Sequence, residues 1–161
     1  MKEAVFLVYL VVLGGKSVNF IDIAKDEAYA AMKEGEIPVG AVIVKEGRII
    51  AQSHNLKEQL HDPTAHAEIL AIKKACEVIG DWRLDGCEMY VTLEPCSMCA
   101  SAIGQSRIDR VYIGTFNRDM GACGSIINIL DSRRLNSFVD VKWLYDKECS
   151  EILEKFFKSN R

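Results

Sequence analysis

The chain has 161 residues, 49% of them hydrophobic and 27% charged, and its formal net charge is −3. That is enough for one core of ordinary size and argues against two. The slightly acidic balance excludes a broadly basic surface that holds nucleic acid indiscriminately, so any RNA partner must be met by local patches.

The chain begins with an odd run, AVFLVYLVVL from Ala4 to Leu13, wholly apolar but shorter than the roughly 20 residues that span a bilayer. A signal-peptide core would look similar, yet the following GGKSVNF offers no small-residue cleavage pattern. GGKS is not a phosphate loop either, because Leu10 stands where the first glycine of that motif belongs. Two readings stay open: a buried extra segment, or residues encoded ahead of the true start. The chain divides accordingly into an atypical segment, 1–19, and a single domain, 20–161.

From Phe20 to Lys33, apolar residues at Ile23, Ala24, Ala28, Ala31 and Met32 recur at helical spacing, and Gly35 closes the pattern. VGAVIVK and RIIAQSH are β-rich runs joined by Glu46 and Gly47, which predicts a hairpin with a tight turn. A helix is expected to start at Asp62, Pro63 and Thr64, to carry an apolar stripe through Ile69, Ile72, Cys76 and Ile79, and to end at Gly80. Cys87 to Leu93 is a strand, and Pro95 ends it before a short helix from about Cys96 to Ile103. DRVYIGT is a fourth strand; GACGS is a loop before another short helix; SFVDVKW is a fifth strand; Lys147 to Lys158 is an amphipathic last helix. Helices alternating with strands in this way imply an α/β domain, with helices covering a mixed sheet.

The six cysteines, at 76, 87, 96, 99, 123 and 149, are spaced irregularly apart from Cys96 and Cys99, which points to a reducing, cytoplasmic compartment. Four of them suit the interior as small hydrophobes. Cys96 and Cys99 form a single Cys-x-x-Cys pair, open by itself to a redox role, a metal role or simple burial. A catalytic zinc commonly takes three protein ligands and keeps a fourth position for water. His66 is the histidine best placed to complete the set, in HAE at a helix start directly upstream of the strand that leads to the pair. Glu68, two residues on, would sit beside the metal without binding it and do general acid/base work. His-x-Glu followed about thirty residues later by Pro-Cys-x-x-Cys fits the pattern of the zinc nucleobase deaminases.

At these residues the chain resembles the cytidine deaminase-like superfamily, and within it the tRNA-specific adenosine deaminases of bacteria. GEIPVGAVIV, DPTAHAEILAI, DWRL, YVTLEPCSMCASAI, RVYIGT and GACGS stand in that subfamily's order, and the resemblance covers Phe20 to Phe157. It implies a three-layer α/β/α fold around a mixed five-stranded sheet. It also implies one Zn2+ per subunit on His66, Cys96 and Cys99, with Glu68 as the proton shuttle. Asn55 would bind substrate, with Ile37, Pro38, Val39, Ala67 and Leu93 around the pocket. The implied reaction converts adenosine to inosine at the wobble position of a tRNA anticodon, in a homodimer with no membrane association. Candidate RNA contacts are Arg107, Arg110, Arg118, Arg133, Arg134, Phe156, Phe157, Lys158 and Arg161. The sequence departs from the subfamily at Asn117, where aspartate is common, at Ser137, where histidine is frequent, and in its first nineteen residues. A guanine or other free-base deaminase with the same zinc chemistry, a zinc module that binds RNA without turnover, and a redox protein are the alternatives.

Overall fold

The computed structural model describes residues 11–13 and 16–160. Of the apolar run Ala4–Leu13, only the last three residues fall among these; Arg161 lies outside them. Val11–Leu13 (β1) pairs antiparallel with Lys16–Val18 (β2), a small ribbon separate from the main sheet.

Phe20–Lys33 forms α1, with Asn19 as its N-cap accepting a hydrogen bond from the N–H of Ile21. Gly40–Lys45 (β3) and Arg48–His54 (β4) make the expected hairpin. Ala67–Ile79 is α2, Cys87–Leu93 is β5, Ser97–Gln105 is α3 and Arg110–Thr115 is β6. Two short strands follow, Asp131–Ser132 (β7) and Ser137–Phe138 (β8), then Asp140–Trp143 (β9) and Lys147–Ser159 (α4).

The main sheet has the order β4-β3-β5-β6-β9, antiparallel as far as β5 and parallel from β5 through β6 to β9. Alternation along β3 assigns its two faces. Ala41 and Ile43 join Ala67, Ala71 and Ala75 of α2 and Ala100 and Ile103 of α3 in one core. Val42 and Val44 join Phe20, Ile21 and Ala24 of α1 and Cys149 of α4 in the other. The result is the expected three-layer α/β/α domain, in which the central strands are buried on both faces.

Gly40 shows how closely the layers meet. A Cβ there would lie 1.9 Å from the carbonyl oxygen of Ala24, so α1 rests directly on the start of β3. Between α1 and α4, Lys25 is almost fully buried and reaches Asp22 at 2.9 Å, Asp146 at 3.2 Å and Glu148 at 2.8 Å.

Three local expectations are corrected. Asp62, Pro63 and Thr64 do not open α2: Asp62 Oδ1 accepts from both the N–H (2.8 Å) and the hydroxyl (2.7 Å) of Thr64, a local turn that competes with helix. The helix starts at Ala67, with His66 in the N-cap position. SFVDVKW is not one strand, because Ser137–Phe138 pairs with Asp131–Ser132 and only Asp140–Trp143 joins the main sheet. The short helix after GACGS is a single 3-10 turn, Arg133–Leu135, closed by Asn136 in the left-handed conformation.

Candidate active site

Two chain segments bring the site together at the C-terminal ends of β5 and β6, where the sheet changes from antiparallel to parallel pairing. That end of an open α/β sheet is where loops and helix starts converge. Each segment carries its groups at a helix entrance. His66 is the N-cap residue of α2 and Glu68 lies in that helix's first turn. Cys96 is the N-cap residue of α3 and Cys99 lies in its first turn.

His66 Nδ1 lies 3.7 Å from Cys96 Sγ and 3.5 Å from Cys99 Sγ. All three ligating atoms fall within 4.8 Å of one another, alone in this respect among the described residues. Zinc bonds of about 2.3 Å to sulfur and about 2.0–2.1 Å to nitrogen, at a tetrahedral angle, place S and N about 3.6 Å apart. One imidazole and two thiolates at these separations therefore suit a tetrahedral zinc ion with one position left over.

Electrostatics couple the same three groups to one another. Cys96 is held down to about 4, first by its hydrogen bond with the Cys99 thiol and, against the effect of burial, by His66. Cys99 is pushed up by that same hydrogen bond and by burial. Hydrogen bonding to Cys96 raises His66. Burial pushes the Glu68 carboxyl up to about 7, which suits a group that must both take and give a proton.

His66, Glu68 and Cys96 line a pocket of about 220 Å³ whose walls include Ile37, Val39, Asn55, Ala67 and Leu93, as expected from the sequence. Pro38 is buried and does not line it. Lys57, Glu94, Asn117 and Met120 complete the wall without having been singled out as pocket residues. Glu94 is buried and accepts from the backbone N–H groups of Asn117 (3.0 Å), Cys123 (3.0 Å) and Ser125 (3.1 Å), and from the Ser125 hydroxyl. It thereby ties loop 117–125 to the strand end that bears the cysteines. Asn117 Oδ1 accepts from the N–H groups of Asp119 (3.3 Å) and Met120 (3.1 Å), bonds that an aspartate would also make. Ser137 is buried against α3, with its hydroxyl 2.7 Å from where a Cβ on Gly104 would lie.

The candidate RNA contacts are scattered. Arg118 is exposed on the loop between Asn117 and Met120, at the rim. Arg110 sits at the opposite end of β6, engaged by Asp140 at 2.7 Å and Glu88 at 3.2 Å. Arg107 lies over the ring of Trp82, while Phe156 and Phe157 pack edge to face, 5.5 Å apart, near Lys158 on α4. Arg133 and Arg134 are exposed on the 3-10 turn.

Comparison with known proteins agrees with this geometry. The sequence profile of the cytidine and deoxycytidylate deaminase zinc-binding region matches residues 16–115. A tRNA-specific adenosine deaminase of Aquifex aeolicus is 51% identical over 144 residues, 88% of this chain and 94% of that protein. Its counterpart from Bacillus subtilis is 44% identical, over 84% of each chain. A structure from a study of A-to-I editing by tRNA:A34 deaminases superposes with a TM-score of 0.80 at 44% identity, covering 83% of this chain and 98% of that one. A guanine deaminase from Bacillus subtilis, also 44% identical, superposes less completely, with a TM-score of 0.59 over 62% of this chain and 64% of its own. The chain therefore belongs to the cytidine and deoxycytidylate deaminase family, among the tRNA-specific adenosine deaminases.

Proposed function

We propose that this protein deaminates adenosine to inosine at the wobble position of a tRNA anticodon, with His66, Cys96 and Cys99 holding one zinc ion and Glu68 moving the protons. The observation that carries this is the meeting of three ligating atoms beside a buried carboxylate that lines a base-sized pocket. When bound, the zinc supplies Lewis acidity, bringing the pKa of a water at its open position from about 15.7 to about 7.

Glu68 takes a proton from the attacking water and delivers it to ring nitrogen N1 as the water oxygen bonds to C6. It then takes the remaining hydroxyl proton and passes it to the departing amine, so that ammonia leaves and a C6 carbonyl remains. Asn55 holds the nucleoside by hydrogen bonding, and Ile37, Val39, Ala67 and Leu93 wall the base. Such a pocket cannot reach a stacked base, so a loop that already splays its bases is a suitable substrate. Recognition by loop shape also reconciles an RNA substrate with a net charge of −3.

Arg118 at the pocket rim is the arginine best placed to meet the loop backbone. The homodimer has support in an apolar groove of about 530 Å³ between α2 and α3, lined by Ile69, Ile72, Trp82 and Met98 and devoid of the ligating groups. Residues 20–161 act as one catalytic domain, to which residues 1–19 are an addition. No helix among the described residues is long and apolar enough to cross a membrane, and the cytoplasm is the compartment that suits six free cysteines and a tRNA substrate.

The likeness to a guanine deaminase favours one second reading, free-base deamination with the same chemistry. Offering an anticodon stem-loop bearing a wobble adenosine, free guanine and free cytidine to wild type and Glu68→Ala separates the two. Inosine on the RNA alone, lost in the variant, is expected. Turnover of guanine with the RNA left untouched would overturn the assignment.

A further inference from the structure

Glu36 is the residue just before the pocket-lining Ile37, and it is 1% exposed. Its Oε1 accepts from the backbone N–H groups of Glu58 (2.8 Å) and Gln59 (2.9 Å), and its Oε2 accepts from Asn55 Nδ2 at 3.2 Å. Asn55 lines the pocket, is itself 6% exposed, and is anchored by its own N–H to the carbonyl of Val39 at 3.1 Å. Every partner of Glu36 in this set is a donor.

A carboxylate has no hydrogen to give, so only the NH2 end of the Asn55 amide can face it. The carbonyl end is turned away and has no hydrogen-bond donor from the described residues. We propose that Glu36 is a positioning residue that fixes the polarity of the base pocket, by making Asn55 present its carbonyl oxygen to a hydrogen-bond donor of the nucleoside. This rests on the proposal that Asn55 contacts substrate.

The role makes a prediction that simple structural support does not. In Glu36→Gln, the new side chain can serve the two backbone N–H groups only with its oxygen, which turns its NH2 toward Asn55. The Asn55 amide must then flip, and a donor replaces the acceptor shown to the pocket. Adding Asn55→Asp repairs this: one aspartate oxygen accepts from the introduced glutamine and the other faces the pocket as an acceptor. The double variant has the same charge as the wild type.

The test measures kcat and KM on a stem-loop with a wobble adenosine, per folded and zinc-loaded enzyme. Wild type, Asn55→Ala, Asn55→Asp, Glu36→Gln and the double variant are compared, with melting temperature and zinc content recorded for each. Glu36→Gln is expected to lose about tenfold or more in kcat/KM, as is usual when a buried hydrogen bond becomes a donor–donor clash. The double variant should regain at least threefold over Glu36→Gln, whereas Asn55→Asp alone, with two carboxylates facing each other, should be impaired. Glu36→Gln within threefold of wild type while Asn55→Ala is impaired, or a double variant no better than Glu36→Gln, would overturn the role given to Glu36. Full activity in Asn55→Ala would instead sink the substrate contact itself, and an inactive wild type would sink the RNA substrate.

Discussion

His66 and Cys96 occupy equivalent positions at the entrances of two helices: each is the N-cap residue, with extended backbone (φ −76°, ψ 152° and φ −72°, ψ 175°), and neither side chain caps its helix. An N-cap side chain normally folds back on the N–H groups of the first turn. Here both are released from that duty and meet each other instead. A cation bound between them ties α2 to α3. Removing it with a chelator should abolish activity and lower the melting temperature by about 5–10 °C, both restored by Zn2+. A melting curve indifferent to chelation would contradict the assignment.

Glu68 lines the pocket with His66 and Cys96 but is not one of the three residues whose ligating atoms cluster. Glu68→Gln keeps the volume and removes the base, so kcat should fall by about 10²–10⁴-fold. Metal analysis of the purified variant should still find one zinc per chain. Loss of the metal would mean that Glu68 is a ligand after all.

Glu94 matters through the loop it holds. Glu94→Gln places an NH2 among donors that all require an acceptor, and should cost about 1–3 kcal/mol in denaturant unfolding. Because that loop carries Asn117 and Met120 into the pocket wall, KM should rise as well. An unchanged KM would show that the loop keeps its place without Glu94.

The Lys25 cluster sets an acid limit on stability. Burial raises Asp146, but the N–H of Cys149 and the ammonium of Lys25 outweigh it and hold the carboxyl below the usual range. Glu148 is lowered by hydrogen bonds from Lys25 and Tyr29. Both are depressed carboxylates, so their contribution is complete above the ordinary carboxylate pKa of about 4 and is lost as pH falls through the lower folded values. The melting temperature should drop between about pH 5 and pH 3, less steeply in Asp146→Asn. For Lys25, burial works to lower the pKa but the three carboxylates raise it above the ordinary lysine value. Its share is present wherever the carboxylates are ionised and is lost again only at strongly alkaline pH.

Much of the site was legible because its chemistry is local. His66 with Glu68, and Cys96 with Cys99, are each spaced within one helical turn, and helix entrances have residue signatures of their own. The β3–β4 hairpin was similarly plain, since Glu46 and Gly47 separate two β-rich runs. Glu36 and Glu94 were missed because a buried acid and a surface acid look alike in sequence; what distinguishes them is a set of backbone N–H donors from distant segments. Asp62-Pro63-Thr64 misled for a related reason, as residues that start helices also close turns. The split of SFVDVKW was hidden because pairing partners, not β propensity, decide which sheet a strand joins.

Lys25 also has a consequence for the order in which the protein can mature. Every group that lines the pocket has been synthesised once the chain reaches residue 120, but Lys25 on α1 must wait for Asp146 and Glu148. A chain ending between those points holds every pocket residue yet leaves the Lys25 ammonium without two of its three counter-charges. A chain stopped before residue 146 should therefore be recognisable to proteases, although it contains every residue assigned to the pocket.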